Sequence, residues 1–400
     1  MYSCDGLENN CVVKPMASER RLPARWTPLE AGALLRLSLA GGPLSVAWSH
    51  PARGEWAAGV GLAAEKFAEL DWVDGPPPLP PGPWFGGWTF AGVERWVLPR
   101  VLGWWKDGRT WAAAFGDDGA QALCALTQAD PVMQVPTAIT AKGDRAAWAR
   151  MISAALERIA AGGLSKVVLA RRLQVTAQAP FEERRILKVL EARYPACRSF
   201  LLRQEDGAAF VGATPETLCR IRGRALETEA LAGTGAGDEL LSSHKDLREH
   251  AWVVEAIVEA LRPITTTIHV ETEPGLKRLA NVTHLWTPIR AELREGVEAI
   301  AAARALHPTP AVGGTPRAEA IAFQREHEGF DRGWYAGAVG ARGPGGLELC
   351  VGIRSAVVHG SEASVFAGAG IVAGSTADGE WAETERKAQA LLGALGVDHG

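Results

Sequence analysis

Acidic and basic residues near the C-terminus are spaced so that they share one face of a helix. Glu380, Glu383 and Lys387 lie at positions i, i+3 and i+7. The same stripe continues into the apolar Ala390 and Leu391. A stripe that begins charged and ends apolar indicates a face that points inward. Buried carboxylates need a partner, which a bound cation together with an anionic ligand would supply. The alternative is a solvated face whose charges pair with one another.

A glycine-rich stretch precedes this helix. Residues 368–373 read GAGIVA, which fits the G-x-G-x-x-A form of the dinucleotide-binding fingerprint. Such a fingerprint follows a strand, opens a helix directly and lies early in a βαβ unit. Here a loop is expected between the motif and the helix, and too little chain remains for a second strand–helix–strand unit. The pattern therefore argues against nucleotide binding.

Lys166 opens an apolar segment, Ser165–Arg171, which is predicted to be a strand. Alternation along a strand puts Lys166 on the same side as Val168 and Ala170. A lysine that faces inward loses hydration and can act as a base. The alternative is a lysine at the end of a strand whose ammonium group reaches water.

Two further charged residues lie among apolar neighbours. Glu216 occupies a turn, set by Pro215, between two apolar strands. It is either a site carboxylate or a solvated turn residue. Arg354 follows the apolar run that starts at Cys350, and its guanidinium could receive a carboxylate. The alternative is again a side chain that reaches water at a strand end.

Glu249 belongs to a helix predicted from Ser243 to about Leu261 and lies on the apolar face of that helix. A carboxylate there is unfavourable unless it is paired. An ion pair with Lys245 would satisfy it, and so would a metal ion shared with Glu383.

Small residues and histidines mark three further segments. Residues 230–235, ALAGTG, are expected to form a loop whose backbone N–H groups can approach an anionic ligand. His284 and His307 lie in turn-rich segments, and the sequence does not decide whether either one is a site residue or a turn residue.

The elements that must position these side chains fall into two parts of the chain. Residues 1–20 show no periodic pattern and are expected to be a disordered extension. Residues 21–135 contain apolar runs broken by Gly and Pro and are predicted to be β-rich. The predicted strands there are Ala33–Leu39, Leu44–Ser49, Glu94–Leu98 and Thr110–Phe115. Residues 140–397 combine strands with helices, beginning with a helix capped by Asp144, and hold every candidate site residue.

The composition limits the class of protein. An apolar fraction of 47% and a charged fraction of 22% are typical of a soluble globular protein. A net charge of −4 gives no reason to expect nucleic acid or an anionic membrane as a partner. No apolar stretch is long enough to cross a membrane. The six cysteines are scattered without CxxC pairs, which argues against a zinc site or a disulfide framework and favours the reducing cytoplasm.

A set of motifs occurs together and in order along the second part of the chain. They read SKVVLAR, GATPETL, EALAGT, SSHKDLREH, VTHLWTPI, LHPTPAVGG, RGWYAGAVG, CVGIRS and FAGAGIV followed by GEWAETERK. With these motifs the chain closely resembles the chorismate-utilising enzymes, and within them isochorismate synthases of the menaquinone-pathway type. The match is dense over residues 140–395 and extends more faintly to WFGGWTFAG in the first part.

The resemblance implies an α/β (α+β) fold. It is a single large chorismate-binding fold in which two β-sheets form a sandwich with helices on its outer faces. The division near residue 135 then lies within one fold and does not separate independent domains.

The resemblance also implies the Mg²⁺-dependent, reversible conversion of chorismate to isochorismate, in which water adds at C2 as the C4 hydroxyl leaves. Lys166 matches the general base that activates water, and Glu216 matches the general acid that protonates the departing hydroxyl. Glu249 and Glu383 match the ligands of a Mg²⁺ ion that binds the ring carboxylate. Glu380 matches a residue that supports the ion.

A set of substrate-binding residues is implied in the same way. Those that hold the other carboxylate match Tyr335, Arg354 and Lys387, together with the backbone of Gly368, Ala369 and Gly370. A loop that lines the ring pocket matches Ala232, Gly233 and Thr234.

Several alternatives remain within this scaffold. Anthranilate synthases resemble the chain but use ammonia and carry glutamine where Lys166 stands. The lysine therefore favours water as the nucleophile, and no glutaminase subunit is expected. Salicylate synthases keep the lysine and add a pyruvate elimination. The product could feed a menaquinone or a siderophore pathway, and EALAGT favours menaquinone. An inactive chorismate-binding paralogue is expected to lack one of Lys166, Glu216, Glu249 or Glu383, and all four are present. The family offers many monomers, and a monomer or weak homo-oligomer is expected.

Overall fold

The computed structural model describes residues 22–29, 44–65, 70–72, 82–106, 108–116, 139–235, 237–278 and 283–397. The predicted extension 1–20 and the predicted strand Ala33–Leu39 lie outside these ranges. No helix within them is long and apolar enough to cross a membrane.

Strands dominate the first part of the chain and alternate with helices in the second. In chain order the strands are β1 (Leu22–Leu29), β2 (Leu44–His50), β3 (Glu55–Val60), β4 (Leu70–Trp72), β5 (Trp84–Trp88), β6 (Glu94–Val97), β7 (Val101–Lys106), β8 (Arg109–Phe115), β9 (Ile139–Lys142), β10 (Lys166–Ala177), β11 (Arg198–Arg203), β12 (Ala209–Thr214), β13 (Thr217–Arg222), β14 (Ala225–Gly235), β15 (Thr265–Val270), β16 (Gly275–Arg278), β17 (Thr283–Leu293), β18 (Gly314–Thr315), β19 (Ala338–Gly343), β20 (Gly346–Val351), β21 (Ser355–His359) and β22 (Glu362–Ile371). The α-helices of the described ranges are α1 (Arg145–Ala160), α2 (Glu183–Arg193), α3 (His244–Leu261), α4 (Ala299–Leu306), α5 (Arg317–His327) and α6 (Ala377–Leu395).

The described strands form two large sheets, which confirms the predicted fold class. The first sheet has the order β18-β10-β22-β21-β12-β11-β2-β3-β7-β8-β1-β4, with β9 paired to β10. The second has the order β15-β17-β14-β13-β20-β19-β5-β6, with β16 paired to β17. The pairings are antiparallel except for β1 with β4. Each sheet contains strands from both parts of the chain, because β2 pairs with β11 and β5 pairs with β19.

Large aromatic side chains fill the space between the sheets. Trp48 and Trp104 of the first sheet belong to the same buried cluster as Trp84 and Trp88 of the second. Helices cover the outer faces. Buried residues of α6 pack with β22, and Val253 of α3 packs in the cluster that β14 joins. The sandwich therefore leaves the strand ends near Lys166 as the place where both sheets and two helices meet.

Two stretches of small residues lie in strands. Residues 368–370 lie inside β22, and residues 230–235, which were predicted to be a loop, end β14. Both stretches are rich in small residues, yet each has a continuous partner strand. Gly368 pairs with Ala170 and Gly370 with Val168, while Leu231 pairs with Trp286. Backbone hydrogen bonding across the ladder therefore decides their conformation, even though glycine weakens a strand.

Helix ends agree with the capping signals in the sequence. The Asp144 side chain accepts a hydrogen bond from the N–H of Ala147 at the start of α1, as predicted. Ser243 caps α3 and Thr376 caps α6 in the same way. These caps set the rotation at which the acidic residues of α3 and α6 face the sheets.

Candidate active site

Most of the predicted site residues line one cavity at the ends of β10, β14 and β22, under α3 and α6. Those that line it are Lys166, Glu216, Ala232, Gly233, Glu249, Tyr335, Arg354, Gly368, Gly370, Glu380, Glu383 and Lys387. Ala369 points the other way, into the cluster formed by α1 and α5 with β10, because side chains alternate along β22. The backbone of Thr234 lies in β14, and its side chain is outside the described part of the structure.

Lys166 is buried at the start of β10 and forms an ion pair with Glu249 of α3. Its Nζ atom lies 2.6 Å from Glu249 Oε1. Gly370 makes room for the lysine, since a Cβ atom there would lie 2.9 Å from Lys166 Cε and 3.3 Å from Glu249 Oε1. The glycine of β22 is thus needed for the space that the lysine occupies.

A second lysine–carboxylate pair lies on α6. Lys387 Nζ donates to Glu383 Oε1 at 2.6 Å and to the carbonyl of Gly368 at 3.0 Å. Burial alone would raise the pKa of Glu383, but the charge and hydrogen bond of Lys387 hold that pKa below its usual range. Glu380, one turn earlier, is also buried and lines the cavity. The inward face predicted from the spacing of these residues is present.

Glu216 lies in the tight turn that joins β12 to β13, and only 6% of it is exposed. Burial, reinforced by the negative charge of Glu229, raises the pKa of Glu216 to about 7. Its N–H donates to Thr214 Oγ1 at 3.2 Å, and its carbonyl accepts from the N–H of Val351 at 3.1 Å. The carboxyl group is therefore held in a fixed position where it can exist in either protonation state near neutral pH.

Arg354 is a buried cation that follows β20. It has a positive φ of 51°, and burial lowers the pKa of its guanidinium. Within the described ranges it has no carboxylate partner, although it lines the cavity. An unpaired buried guanidinium is costly, so this geometry suits an anionic ligand. Tyr335 lies beside it and stacks on Phe366, and burial raises the pKa of Tyr335 to about 12, which keeps its hydroxyl neutral.

The cavity contains two residues that the sequence did not single out as ligands. Asp246 lies one turn before Glu249 on α3. The pair Asp246 and Glu249 therefore mirrors Glu380 and Glu383 on α6, and this repeated three-residue spacing was the available signal.

His284 is the second addition, and it lies in β17, not in a turn. Burial, together with the positive charges of Arg354 and Lys387, lowers the pKa of His284 to about 3. The neutral ring donates from Nδ1 to the carbonyl of Gly233 at 3.0 Å. Gly233 has a φ of +73° at the bulge of β14, so the histidine supports the backbone that lines the cavity.

His307 is not a cavity residue. Trp88 Nε1 donates to His307 Nδ1 at 3.1 Å, and His307 Nε2 donates to the carbonyl of Ala336 at 2.8 Å. Both ring nitrogens are thus satisfied inside the protein, where the histidine links β5 to the turn that carries Tyr335.

The carboxylates of this cavity are of the type that hard divalent cations prefer. Asp246, Glu249, Glu380 and Glu383 present oxygen atoms from two helices. In the described ranges no three such groups lie close enough together to form a preassembled metal site. Lysines hold two of the carboxylates in this arrangement. The donor set therefore fits Mg²⁺ in chemical type, and side chains must move to gather it.

Comparison with known proteins agrees with this geometry. The family described as "Chorismate binding enzyme" matches residues 118–396. Isochorismate synthase MenF of Pasteurella multocida is 38% identical over 337 residues, which are 78% of this chain and 78% of the relative. The salicylate biosynthesis isochorismate synthase of Pseudomonas aeruginosa is 40% identical over 298 residues, 70% of this chain and 62% of the relative.

Solved structures give the same result. The menaquinone-specific isochorismate synthase MenF of Escherichia coli superposes with a TM-score of 0.82 at 29% identity, covering 94% of each chain. Anthranilate synthase component I of Streptococcus pneumoniae has a TM-score of 0.70 at 19% identity, which is evidence of a shared fold alone. With a family match over most of its length and with the cavity that its motifs build, the chain belongs to the chorismate-binding enzymes.

Proposed function

We propose that this protein is an isochorismate synthase that reversibly converts chorismate to isochorismate, with the menaquinone pathway as its role. The observation that carries the proposal is the pair Lys166 and Glu216. The amine of Lys166 faces the cavity from β10, and the Glu216 carboxyl group, whose pKa is raised, faces it from the turn between β12 and β13. Relatives named MenF from several bacteria support the same activity.

The two groups suit the two proton transfers of the reaction. Lys166, in its neutral form, takes a proton at Nζ from the water that attacks C2, and Glu216 gives a proton to the hydroxyl that leaves C4. In the reverse direction the roles exchange. Because the pKa of Glu216 is raised to about 7, a useful fraction of it is protonated at neutral pH. Each group is expected to contribute on the order of 10²–10⁴-fold to the rate.

The substrate is a dianion, and the cavity offers a partner for each carboxylate. Arg354 with Tyr335 and Lys387 holds one carboxylate. The second faces the carboxylate side chains of α3 and α6. We propose that Glu249 and Glu383 hold Mg²⁺ there, with Glu380 and Asp246 supporting it. Mg²⁺, when bound, would neutralise the ring carboxylate.

The proposal also includes the cellular compartment and the oligomeric state of the protein. Cys197, Cys219 and Cys350 are buried and unbridged, which suits the reducing cytoplasm. Water as the nucleophile requires no glutaminase subunit, so we propose a chain that acts alone, as a monomer or weak homo-oligomer.

The test is analysis of the products. The protein is incubated with chorismate, with Mg²⁺ or with EDTA, and the products are separated by chromatography while pyruvate is assayed. Isochorismate in equilibrium with chorismate, without pyruvate and only with Mg²⁺, is the expected result. Salicylate with stoichiometric pyruvate would instead identify a salicylate synthase. Absence of any Mg²⁺-dependent product would contradict an enzymatic role.

A further inference from the structure

The turn that carries Glu216 is held by a partly buried ion pair outside the catalytic cavity. Glu229 lies in β14, and Lys277 lies in the short strand β16 of the same sheet. Lys277 Nζ is 2.8 Å from Glu229 Oε1 and 3.0 Å from Oε2. The side chains of Glu229 and Lys277 are 11% and 25% exposed, so solvent screens the pair only in part.

Both peptide groups that flank Glu216 are bound to this pair. Glu229 Oε1 accepts a hydrogen bond from the N–H of Thr217 at 2.8 Å. Lys277 Nζ donates to the carbonyl of Pro215 at 2.6 Å. Trp286 of β17 completes the arrangement, because its Nε1 donates to Glu229 Oε2 at 2.6 Å. Three strands of the second sheet therefore fix the turn on both sides of the Glu216 side chain.

The pair also sets the charge around the Glu216 carboxyl group. Burial would raise the pKa of Glu229, but Lys277 and the hydrogen bonds hold it below the usual range, so Glu229 is ionised. After burial, the Glu229 charge is the largest influence on the pKa of Glu216, and it raises that pKa; Lys277 lowers it by less. The other charged or titratable groups that face Glu216 are Lys166 of β10, Lys387 of α6 and Tyr335.

We propose that Glu229 and Lys277 are positioning residues for the general acid, which fix the Glu216 turn and set, with opposite signs, the charge around its carboxyl group. The inference rests on the proposed function, because it assigns these residues to the proton transfer of Glu216. Neither residue touches the reacting atoms, and both act through the turn.

Two single substitutions are expected to shift the pH profile in opposite directions. Glu229→Gln removes a negative charge and leaves Lys277 in place. The basic limb of the pH profile of kcat should therefore move to lower pH by about one unit. At pH 8 this lowers kcat by about tenfold, whereas at pH 6 the loss is about twofold. Lys277→Gln removes the positive charge, so the same limb should move to higher pH.

Matched variants separate charge from packing. Glu227→Gln changes an exposed glutamate of the same strand two residues away and should leave the profile unchanged. Trp286→Phe removes one hydrogen bond to Glu229 without changing a charge. This variant should have a lower kcat, but the basic limb of its pH profile should stay at the same pH. If Glu229→Gln and Lys277→Gln lower kcat equally at every pH, the pair is merely structural and the proposal is wrong.

A measurement that needs no turnover keeps the proposal separate from the proposed function. The titration of Glu216 is followed by NMR with ¹³C-labelled glutamate carboxyl groups, and its signal is assigned from its loss in Glu216→Gln. The signal should titrate at lower pH in Glu229→Gln and at higher pH in Lys277→Gln. An unchanged titration in both variants would overturn the proposal, whatever the products of the wild-type protein. If Glu229→Gln does not fold, the titration of Glu216 in Lys277→Gln alone decides whether the proposal holds.

Discussion

Buried charges at the site are arranged as lysine–carboxylate pairs. Lys166 holds Glu249, and Lys387 holds Glu383, each at 2.6 Å. A charge that is removed from water is unfavourable without a partner, so each lysine holds its carboxylate in place. Arg354 is different, because it is buried without a carboxylate partner in the described ranges. The charge that it lacks is the one that the substrate carries.

We expect Lys166→Ala to abolish turnover while it leaves ligand binding largely intact. Loss of the general base should lower kcat by about 10²–10⁴-fold. Chorismate and Mg²⁺ binding, measured by calorimetry, should change little, because Arg354 and the α6 carboxylates remain. Lys142→Ala, at an exposed lysine, is the control. Unchanged kcat in Lys166→Ala would remove the lysine from the mechanism.

Gly370→Ala is expected to lower activity more than stability. The new Cβ atom would lie 2.9 Å from Lys166 Cε, which is part of a flexible side chain that can shift. The lysine must then leave its position beside Glu249, so kcat should fall about 10- to 100-fold, since small misplacements of a catalytic group are costly. Urea unfolding should change by less than about 1 kcal/mol. Wild-type kcat in this variant would show that the position of Lys166 is not critical.

The residues of the site were predictable to different degrees for physical reasons. Lys166 and Glu383 could be predicted because strand and helix periodicity puts each among apolar neighbours. Asp246 was missed because its backbone N–H binds the Ser243 cap, and its carboxylate accepts a hydrogen bond from the Ser243 hydroxyl. A local capping role accounts for an acidic residue in a first helical turn, so this role masked the three-residue spacing that Asp246 and Glu249 share with Glu380 and Glu383.

Elements at the cavity were predicted less well than the residues that they carry. The ALAGTG stretch was predicted to be a loop because small residues have low strand propensity. In the structure it is the end of β14, where β17 supplies the hydrogen bonds, just as β10 supplies them to residues 368–371 at the end of β22. Helices, by contrast, carry their own hydrogen bonds and caps, and the predicted extents of α1 and α3 are close to those found.

His307, which links β5 to the turn that carries Tyr335, is expected to make the stability of the protein depend on pH. Burial lowers the pKa of His307 to about 4, whereas an unfolded chain has about 6.5. The unfolded state therefore binds the proton more readily. The contribution of neutral His307 to the free energy of unfolding is fully present above pH 6.5 and is lost as the pH falls towards 4. His307 alone should account for about 2 kcal/mol of lost stability between pH 7 and pH 5.

His307→Gln tests this linkage. Glutamine can still donate a hydrogen bond to the carbonyl of Ala336 but does not titrate. Urea unfolding at several pH values should give a lower stability at pH 7 and a smaller loss on acidification than in the wild type. Equal losses in the two proteins would mean that His307 is not the group that responds.

At the scale of the whole molecule, the charge distribution matters more than the net charge. The chain carries a net charge of −4, yet the proposed substrate is a dianion. The cavity lining has more carboxyl groups than cations, and two of its three cations are paired with carboxylates. Recruitment of a dianion therefore depends on Arg354 and on the proposed Mg²⁺, where low-dielectric walls focus the field. Composition could exclude classes of partner, but it could not reveal this arrangement of charges, which depends on which strands meet.

Mg²⁺ is expected to stabilise the folded protein through the carboxylates of α3 and α6. A ligand at one hundred times its Kd stabilises the state that binds it by about 2.7 kcal/mol. Tm should therefore rise with Mg²⁺, and Glu249→Gln and Glu383→Gln should abolish the rise. Asp378→Asn, an exposed change on the same helix α6, should retain it. A rise in Tm that survives both glutamate substitutions would exclude these residues as ligands.

The pairing of β10 with β22 has a consequence for synthesis. Val167 pairs with Ile371, about two hundred residues later in the chain. At ~5–20 residues per second, roughly 10–40 s pass on the ribosome before Lys166 acquires the strand that encloses it. During that interval β10, with its run of apolar residues, has an open edge that other chains can join. The strand that carries Lys166 therefore depends on protection, such as a chaperone supplies, until β22 has been made.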